Sequence, residues 1–158
     1  MEQPPTIGDA GAPYRTPEER LAVAAARLTS DRDLWLLTSH PDRGPHAVPL
    51  SFVAYGPVII LATGEHRPAV RNAAFDPRVV LVLGGYGDAI RASGEAEIVP
   101  FASVDADIQA RYVAKAGWDP ADVEFAAVVV RLDEILCSRS PEEDRNRVIW
   151  KAGWPVPW

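Results

Sequence analysis

The sequence predicts a mainly β domain with inserted helices, in which six strands form a closed antiparallel barrel. Six segments are rich in β-branched and apolar residues, and Gly, Pro and Asp turn residues separate most of them. Helical patterns interrupt these segments without alternating regularly with them, which disfavours a doubly wound parallel sheet. Closing an antiparallel sheet into a barrel removes its unpaired edges.

The size and composition are those of one compact domain. The chain has 158 residues, of which 47% are hydrophobic and 24% are charged, so we expect a single core. No apolar run approaches the roughly 20 residues that span a bilayer, and the start of the chain lacks the pattern of a secretory signal. A single cysteine, Cys137, excludes an internal disulfide and fits a cytoplasmic protein.

The charge balance limits the partners of the chain. Its formal net charge of -6 at pH 7 disfavours nonspecific binding of nucleic acid, which depends on Lys and Arg residues that neutralise phosphates. An anionic ligand would therefore need a local basic cluster.

We expect residues 1–15 to form a flexible N-terminal tail and residues 16–158 to form the domain. The tail is rich in Pro, Gly and Ala and has no periodicity. Thr16 then provides an N-cap, Pro17 the first helical position and Glu19 the partner of a capping box. The pattern predicts a helix from Pro17 to about Thr29.

Three strands in a meander are predicted next. Residues 34–39 end at a His-Pro-Asp-Arg-Gly turn, and residues 46–53 return from it as the second strand of a hairpin. The nearly continuous apolar run at 58–63 suits a buried strand.

A short helix and a second hairpin follow. Residues 68–75 can form about two helical turns before Asp76-Pro77 stops them. Residues 78–83 and 88–99 are predicted strands joined by a Gly-Gly-Tyr-Gly turn, and Gly94 is the expected position of a bulge or bend.

The last third of the chain predicts one helix and one long strand. Residues 101–116 place Val104, Ile108, Tyr112 and Val113 on one helical face. Residues 125–138 form the last long β segment. The acidic pair that follows, Glu142-Glu143, is expected on a solvated face.

The C-terminal segment carries three tryptophans, Trp150, Trp154 and Trp158. Residues 147–151 have the composition of a short strand, and an apolar tail of this kind should pack against protein. We favour packing on a partner subunit, where the indoles would wall a ligand pocket as interface anchors. Packing on the chain's own barrel is the alternative.

Several short motifs follow one another between about residues 34 and 99. They are Gly44-Pro45-His46-Ala47-Val48-Pro49-Leu50, Leu61-Ala62-Thr63-Gly64, Arg67, Arg71-Asn72 and Asp76-Pro77-Arg78-Val79. In this order and spacing they resemble the pyridoxamine 5'-phosphate oxidase-like split barrels, and the later half is similar to actinobacterial deazaflavin-dependent members.

The resemblance implies a six-stranded antiparallel split barrel that forms a homodimer, with a flavin-type coenzyme at the subunit interface. That coenzyme is either coenzyme F420 or FMN. Many relatives carry a lysine where this chain has Pro68 or Ala69, so Arg67 would hold more of the phosphate charge. The resemblance implies coenzyme contacts for ten residues: His46, Val48, Pro49, Leu50, Ala62, Thr63, His66, Arg67, Arg71 and Asn72.

The basic loop also predicts an anion site on chemical grounds. Around His66, Arg67 and Arg71, guanidinium forks, backbone N–H groups and the positive end of a helix can together hold a phosphate. Two arginines on a short surface helix can equally be solvated. Similarly, Thr63 can donate to a phosphate or bond its neighbours, and Asn72 can orient a ligand or cap a turn.

The strand that contains Pro49 has a chemical limit. Proline has no N–H and favours a sheet edge. A backbone hydrogen bond to a coenzyme ring would therefore come from Leu50 or Val48, or would use the Pro49 carbonyl as acceptor. His46 can bond a ligand, although a lone histidine on a strand is more often a surface or core group.

Other chemistries lack their motifs. The three histidines show no paired metal-ligand spacing, and there is no serine elbow, phosphate-binding loop or Gly-x-Gly-x-x-Gly sequence. Cys137 lies in an apolar strand, where a buried thiol is inert. We expect no metal and no catalytic side chain.

The sequence thus favours an oxidoreductase in which coenzyme F420 or FMN carries a hydride to a small organic substrate. F420 is the leading candidate because residues 67–79 are slightly more similar to deazaflavin-dependent members. A noncatalytic flavin, deazaflavin or haem carrier on the same barrel stays open, as does a domain that only binds a partner.

Overall fold

The computed structural model describes residues 14–84, 87–121 and 124–158. Nearly all of the predicted N-terminal tail and two residues of the predicted Gly-Gly-Tyr-Gly turn lie outside the described residues. No helix in the described part of the chain is both long and apolar enough to cross a membrane.

The described residues form four α-helices and seven strands. The helices are α1 Pro17–Ser30, α2 Pro68–Phe75, α3 Ala106–Ala116 and α4 Pro141–Asp144. The strands are β1 Asp33–His40, β2 Gly44–Tyr55, β3 Val58–Gly64, β4 Arg78–Leu83, β5 Ala89–Pro100, β6 Phe125–Ser138 and β7 Val148–Lys151.

Six of the strands close into a barrel. The sheet order is β3-β2-β1-β4-β5-β6-β7, and a further pairing between β3 and β6 closes the ring. All of these pairings are antiparallel. The prediction of a mainly β, six-stranded antiparallel barrel is therefore confirmed.

The first hairpin and the first helix form as their local chemistry predicts. The Thr16 side chain accepts from the Glu19 N–H, and the Glu19 carboxylate accepts from the Thr16 N–H, so the capping box is complete. Gly44 has φ 76° at the end of the β1–β2 turn, a left-handed backbone that glycine adopts without steric cost.

The predicted irregularity at Gly94 is confirmed. The register between β5 and β6 shifts between Ser93 and Gly94, and a Cβ atom at Gly94 would collide with the Arg131 carbonyl oxygen. Only glycine lets the two strands approach this closely.

The third helix begins later than predicted. Residues Phe101–Ser103 form one 3-10 turn, and α3 starts at Ala106 because the Asp105 side chain caps it by accepting from the Asp107 N–H. Tyr112 is fully buried, and its ring meets the Phe101 ring edge-to-face at 5.2 Å between centroids. The helix thereby covers Val53, Ile60 and Ala62 on the outer face of the barrel.

The expectation that Glu143 lies on a solvated face is wrong. Glu143 is buried, and both of its carboxylate oxygens accept from the Arg15 guanidinium, at 3.1 and 2.9 Å. Arg15 also pairs with Asp88 at 2.6 Å. No local pattern predicts this contact, because Arg15 and Glu143 are 128 residues apart in the chain.

The expectation that the C-terminal tail covers a partner subunit is wrong for two of the three tryptophans. Trp150 is buried in the chain's own core, and Trp158 packs against it with 5.5 Å between ring centroids. The Trp158 Nε1–H donates to the Gly56 carbonyl at 2.9 Å. Trp154 alone is half exposed, at 51%.

Substitution of Glu143 by Gln should lower the free energy of unfolding by about 1.5–3 kcal/mol at pH 7, because it removes the charge from the carboxylate that accepts two hydrogen bonds from the half-buried Arg15 guanidinium and leaves Asp88 as its one acidic partner among the described residues. The Arg15 bonds lower the pKa of Glu143 to about 2 from 4.5. The unfolded chain therefore binds more protons between these two pH values, and the stabilisation is complete above pH 4.5 and is lost as the pH falls through about 2.

Chemical denaturation of the wild type and of Glu143→Gln across this pH range measures the difference in the free energy of unfolding. Glu142→Gln, on the exposed side of α4, is the matched control. A loss in Glu143→Gln no greater than that in the control would contradict the assigned ion pair.

Candidate functional site

The barrel is split between β2 and β3. These strands pair over only four residues, from Phe52 opposite Leu61 to Tyr55 opposite Val58. Beyond that point β2 continues along β1 to Gly44, while β3 continues along β6 to Gly64. In the described structure, the stretch of β2 from Gly44 to Leu50 therefore has a strand neighbour on one side only. We call its other side the open edge.

The phase of the β1–β2 ladder decides which backbone groups lie at the open edge. The Phe52 N–H donates to the Arg32 carbonyl at 3.2 Å. Because bonded and non-bonded pairs alternate in an antiparallel ladder, even-numbered residues of this stretch direct their N–H and C=O groups to β1. Pro45 and Pro49 are odd-numbered, so their backbone groups point away from β1, and the ladder needs no N–H at either position.

The open edge therefore presents mainly acceptors. Its groups are the carbonyls of Pro45, Ala47 and Pro49 and the N–H of Ala47. Of the backbone groups predicted to contact a coenzyme ring, the Pro49 carbonyl lies at the open edge. The N–H groups of Val48 and Leu50 instead point to β1. The side chains of Val48 and Leu50 also pack against the barrel core, on the strand face that His46 shares.

Beside the open edge lies an exposed hydrophobic surface on the outside of the barrel. Trp35 is 48% exposed and sits between Pro49 and Val82, and Leu37 sits between Ala47 and Val80. We call these six residues the apolar face. A cleft of about 430 Å³ adjoins it, with Leu37 and Val80 in its wall.

The basic end of the site is the start of α2. Arg67 is the N-cap of this helix, and its side chain makes no capping hydrogen bond. Arg71 lies one turn further, with its N–H donating to the Arg67 carbonyl at 3.2 Å. Both arginines are exposed, and residues four apart share one face of a helix.

The surroundings of His66 are more acidic than the sequence suggested. Its imidazole is exposed and lies 3.2 Å from the Glu65 carboxylate. Glu65 and Glu124 both line the cleft of about 360 Å³ that contains His66 and Arg67. Arg71 is not among the residues that line this acidic cleft.

The two predicted contacts at the end of β3 differ in position. Ala62 is buried and packs beneath α3, away from the barrel interior. Thr63 is half-buried and pairs with Ala126 of β6, at the point where β3 has left β2.

The Asn72 side chain forms hydrogen bonds to two other side chains of the protein. It is buried, at 2% exposure, and its Nδ2–H donates to the Thr38 hydroxyl at 3.3 Å. Its Oδ1 accepts from the Arg43 guanidinium at 3.0 Å. Sequence reasoning missed Arg43 because the hairpin turn that carries it is 29 residues from Asn72, and no local pattern joins them.

The thiol of the chain is not part of this site. Cys137 is fully buried, and desolvation raises its pKa to about 11, so it stays protonated and unreactive at neutral pH. Among the described residues no group of three or more His, Cys, Asp or Glu side chains is arranged to hold a metal ion.

Sequence comparison identifies the family. The family model for pyridoxamine 5'-phosphate oxidase matches residues 22–138, which is well over half of the chain. The chain belongs to this family of split barrels, and the predicted resemblance is confirmed. No curated protein matches it.

Solved structures share the fold. A protein described as an F420 reductase superposes with a TM-score of 0.58 and 22% identity, covering 73% of this chain and 95% of its own. General stress protein 26 from Bacillus anthracis superposes with a TM-score of 0.60 and 20% identity, covering 74% of this chain and 92% of its own. A haem-binding protein from Mycobacterium smegmatis superposes with a TM-score of 0.64 and 19% identity, covering 82% of this chain and 57% of its own. At these identities the likeness establishes the fold alone.

Replacing Arg67 by Ala should weaken binding of a phosphorylated flavin or deazaflavin by about 1.5–3 kcal/mol, the contribution of a charge-assisted hydrogen bond. Titration of the purified protein with FMN and with F420 measures this loss. Arg32→Ala, at the opposite end of β1, removes an exposed arginine outside the site and serves as control. Unchanged affinity in Arg67→Ala, Arg71→Ala and the double variant would exclude α2 from the site.

Proposed function

We propose that the protein is a two-electron oxidoreductase that binds a flavin-type coenzyme in the split of its barrel, with coenzyme F420 as the first candidate and FMN as the second. The observation that carries the proposal is the open edge of β2 together with the exposed arginines of α2. Neither Arg67 nor Arg71 has a carboxylate partner among the described residues.

The groups around the split suit such a coenzyme. A fused ring system has polar atoms along its edge and apolar faces. The open edge offers the Ala47 N–H and the carbonyls of Pro45 and Pro49 to the polar atoms, and its backbone is fixed by the ladder with β1. Arg67 and Arg71 offer guanidinium groups to a phosphate.

The chain's own residues would bind, orient and shield the coenzyme. A flavin or deazaflavin bound there supplies the hydride chemistry, so no side chain is needed as a nucleophile. Ordered backbone groups along β2 would fix the ring position, and apolar residues beside them would exclude water from the reacting edge.

The apolar face supports a dimer as the working form. A monomer seldom exposes a contiguous apolar surface of this kind without function, and Trp35 is a typical interface anchor. Because Ala47 and Pro49 belong both to the apolar face and to the open edge, a second copy of the chain on this face would also close the split. The proposed coenzyme would then lie between subunits.

The experiment that tests the function begins with the absorption spectrum of the purified protein, followed by titration with F420, FMN and haem. Reduced coenzyme is then mixed with a panel of small organic substrates that can accept a hydride. Pyridoxamine 5'-phosphate, which would donate electrons, is tested separately with oxidised FMN and oxygen. We expect tightest binding of F420 and turnover of at least one substrate. We expect no turnover of pyridoxamine 5'-phosphate, because the C-terminal part of the chain lacks recognisable substrate-phosphate residues.

The outcomes separate the alternatives. Binding of a flavin or deazaflavin without turnover of any substrate would support a carrier. A protein that shows a haem spectrum and binds neither FMN nor F420 would have haem as its ligand in place of the proposed coenzyme. A protein that binds none of the three would overturn the proposal.

Substitution of Trp35 by Glu should convert the proposed dimer to monomer, because it places a charge in the centre of a desolvated interface. Light scattering measures the mass, and we expect coenzyme affinity to fall at least tenfold with the loss of the closed split, equivalent to about 1.4 kcal/mol. Trp154→Glu, at an equally exposed tryptophan of the tail, is the control. A wild-type protein that is monomeric at all concentrations would contradict the dimer.

A further inference from the structure

We propose that the cleft of about 430 Å³ beside the apolar face binds a small apolar cation, with Asp133 as its counter-ion, and that this cleft holds the substrate of the oxidoreductase. The inference rests on the proposed function and deepens it by naming the class of substrate. Asp133 lies on β6, outside the motifs that carry the family resemblance.

The cleft is a gap in the sheet between β1 and β4. These strands pair over only three residues, and the pairing stops at Leu37 opposite Val80. Beyond that point Ser39 of β1 and Arg78 of β4 both line the cleft without pairing with each other. The barrel wall is therefore open here, as it is between β2 and β3.

The strands on either side leave backbone groups unpaired in this gap. The ladder with β2 takes the groups of even-numbered β1 residues, so Ser39 directs its N–H and C=O towards β4. On β4, the Pro77 carbonyl accepts from the Ala96 N–H at 2.7 Å, so Arg78 faces the gap. The Arg78 N–H donates to the Asp76 carboxylate at 3.1 Å. Two carbonyls and one N–H thus remain for a ligand.

The one cationic side chain that lines the cleft is already neutralised. The Nε–H and Nη2–H groups of Arg78 donate to the two Asp76 oxygens at 2.9 and 2.7 Å. These bonds lower the pKa of Asp76 to about 2, so the pair stays ionised at neutral pH. None of the other described residues that line the cleft is basic. A carboxylate or phosphate would therefore find no unoccupied cation there.

The bulge in β6 brings an acid to the same cleft. In the ladder with β5, Glu134 lies opposite Ser93 and Leu132 lies opposite Gly94. Asp133, between them, is an extra residue without a partner. The core-facing residues of β6 are even-numbered up to Leu132 and odd-numbered after the bulge. Asp133 and Glu134 consequently both lie on the outer side of the barrel, since a bulge redirects side chains in this way.

Of these two acids, Asp133 lines the cleft and Glu134 does not. Asp133 is exposed and takes part in no ion pair among the described residues. Ser93, on the neighbouring strand, adds a hydroxyl to the lining. The polar groups of the cleft are therefore mostly hydrogen-bond acceptors, and its one unneutralised charge is negative.

These groups define the ligand by complementarity. The apolar part of the wall comes from Leu37, Val79 and Val80, which suits an apolar body. The acceptors and the Asp133 carboxylate suit N–H donors on a positive group. The volume lies within the roughly 300–1,000 Å³ that is usual for small-molecule sites. A small molecule with a cationic nitrogen fits all three properties.

The cleft lies where a substrate could meet the proposed coenzyme. Pro45 lines the cleft and also belongs to the open edge of β2. Leu37 and Val80 belong both to the cleft and to the apolar face. A second copy of the chain on that face would therefore also cover the cleft, excluding water from a bound cation and strengthening its attraction to Asp133.

The test uses three probes with one aromatic body and different charges: benzylammonium, benzyl alcohol and benzoate. Each is titrated into the protein, and binding is followed by the NMR chemical shifts of the Ser39 and Gly94 amides, which line the cleft. We expect wild type to bind benzylammonium about tenfold more tightly than either other probe, as one charge-assisted hydrogen bond allows.

Two matched variants identify the acid. Asp133→Asn keeps the shape of the side chain, and we expect it to lose the preference for benzylammonium while its affinity for benzyl alcohol changes by at most about twofold. Glu134→Gln removes the same charge one residue along the bulge, outside the cleft. It should keep the preference in about 0.15 M salt, where more distant exposed charges are screened.

The link to the coenzyme has its own readout. When benzylammonium is added to protein with F420 or FMN bound, we expect the absorption band of the coenzyme to shift, because Pro45 borders both sites. The same addition to Asp133→Asn should require a concentration about tenfold higher for the same shift.

Equal affinity for the three probes, or wild-type binding of benzylammonium by Asp133→Asn, would overturn the inference. The proposed function would then still stand on the coenzyme titration without probe. Binding of benzylammonium that leaves the coenzyme spectrum unchanged would separate the cleft from the coenzyme and overturn its assignment to the substrate. A wild type that binds no coenzyme would overturn the proposed function and the substrate assignment with it.

Discussion

The register between β1 and β2 is the constraint on which the rest of the site depends. With Leu34 opposite Leu50 and Thr38 opposite His46, Val48 and Leu50 face the core while Pro45 and Pro49 face outward, at an edge that none of the described strands pairs. A slip of one residue would reverse every side chain of the strand. It would also turn both prolines into the ladder, where each would remove a hydrogen bond. Core packing and the open edge therefore have the same physical origin.

Charge is used in two different ways in this chain. Arg15, Asp88 and Glu143 form a largely buried cluster in which the cation is matched by acids within 3 Å, and this cluster anchors the start of the domain to β5 and α4. Arg67 and Arg71, at the start of α2, are exposed and have no carboxylate partner among the described residues. A buried charge must be paired to be tolerated, whereas an exposed charge is solvated and needs no partner, which leaves Arg67 and Arg71 available for the anion binding proposed above.

Features set by local chemistry could be predicted from the sequence. Thr16, Pro17 and Glu19 place the start of α1, and Pro68 and Asp76-Pro77 bound α2, because capping and proline geometry act over a few residues. The strand pattern and turn glycines were enough for the barrel, since period-two burial needs no knowledge of partners. The start of α3 was missed because Asp105 competes as a cap within a pattern that looks helical from Phe101 onward.

The sequence by itself determined the strands, the starts of α1 and α2, the bulge at Gly94 and the family motifs with their two arginines at α2. Only the tertiary structure decided that Glu143 is buried against Arg15, that Trp158 returns to the chain's own barrel, and that Asn72 holds Arg43. Each of these contacts joins residues far apart in the chain. The local pattern around Glu143 fits a solvated position equally well, and the pattern around Trp158 fits packing on a partner subunit. The environment that each residue takes depends on which strands and helices the closed barrel places beside it. Strand order and register, which set those neighbours, exist only once the chain has folded.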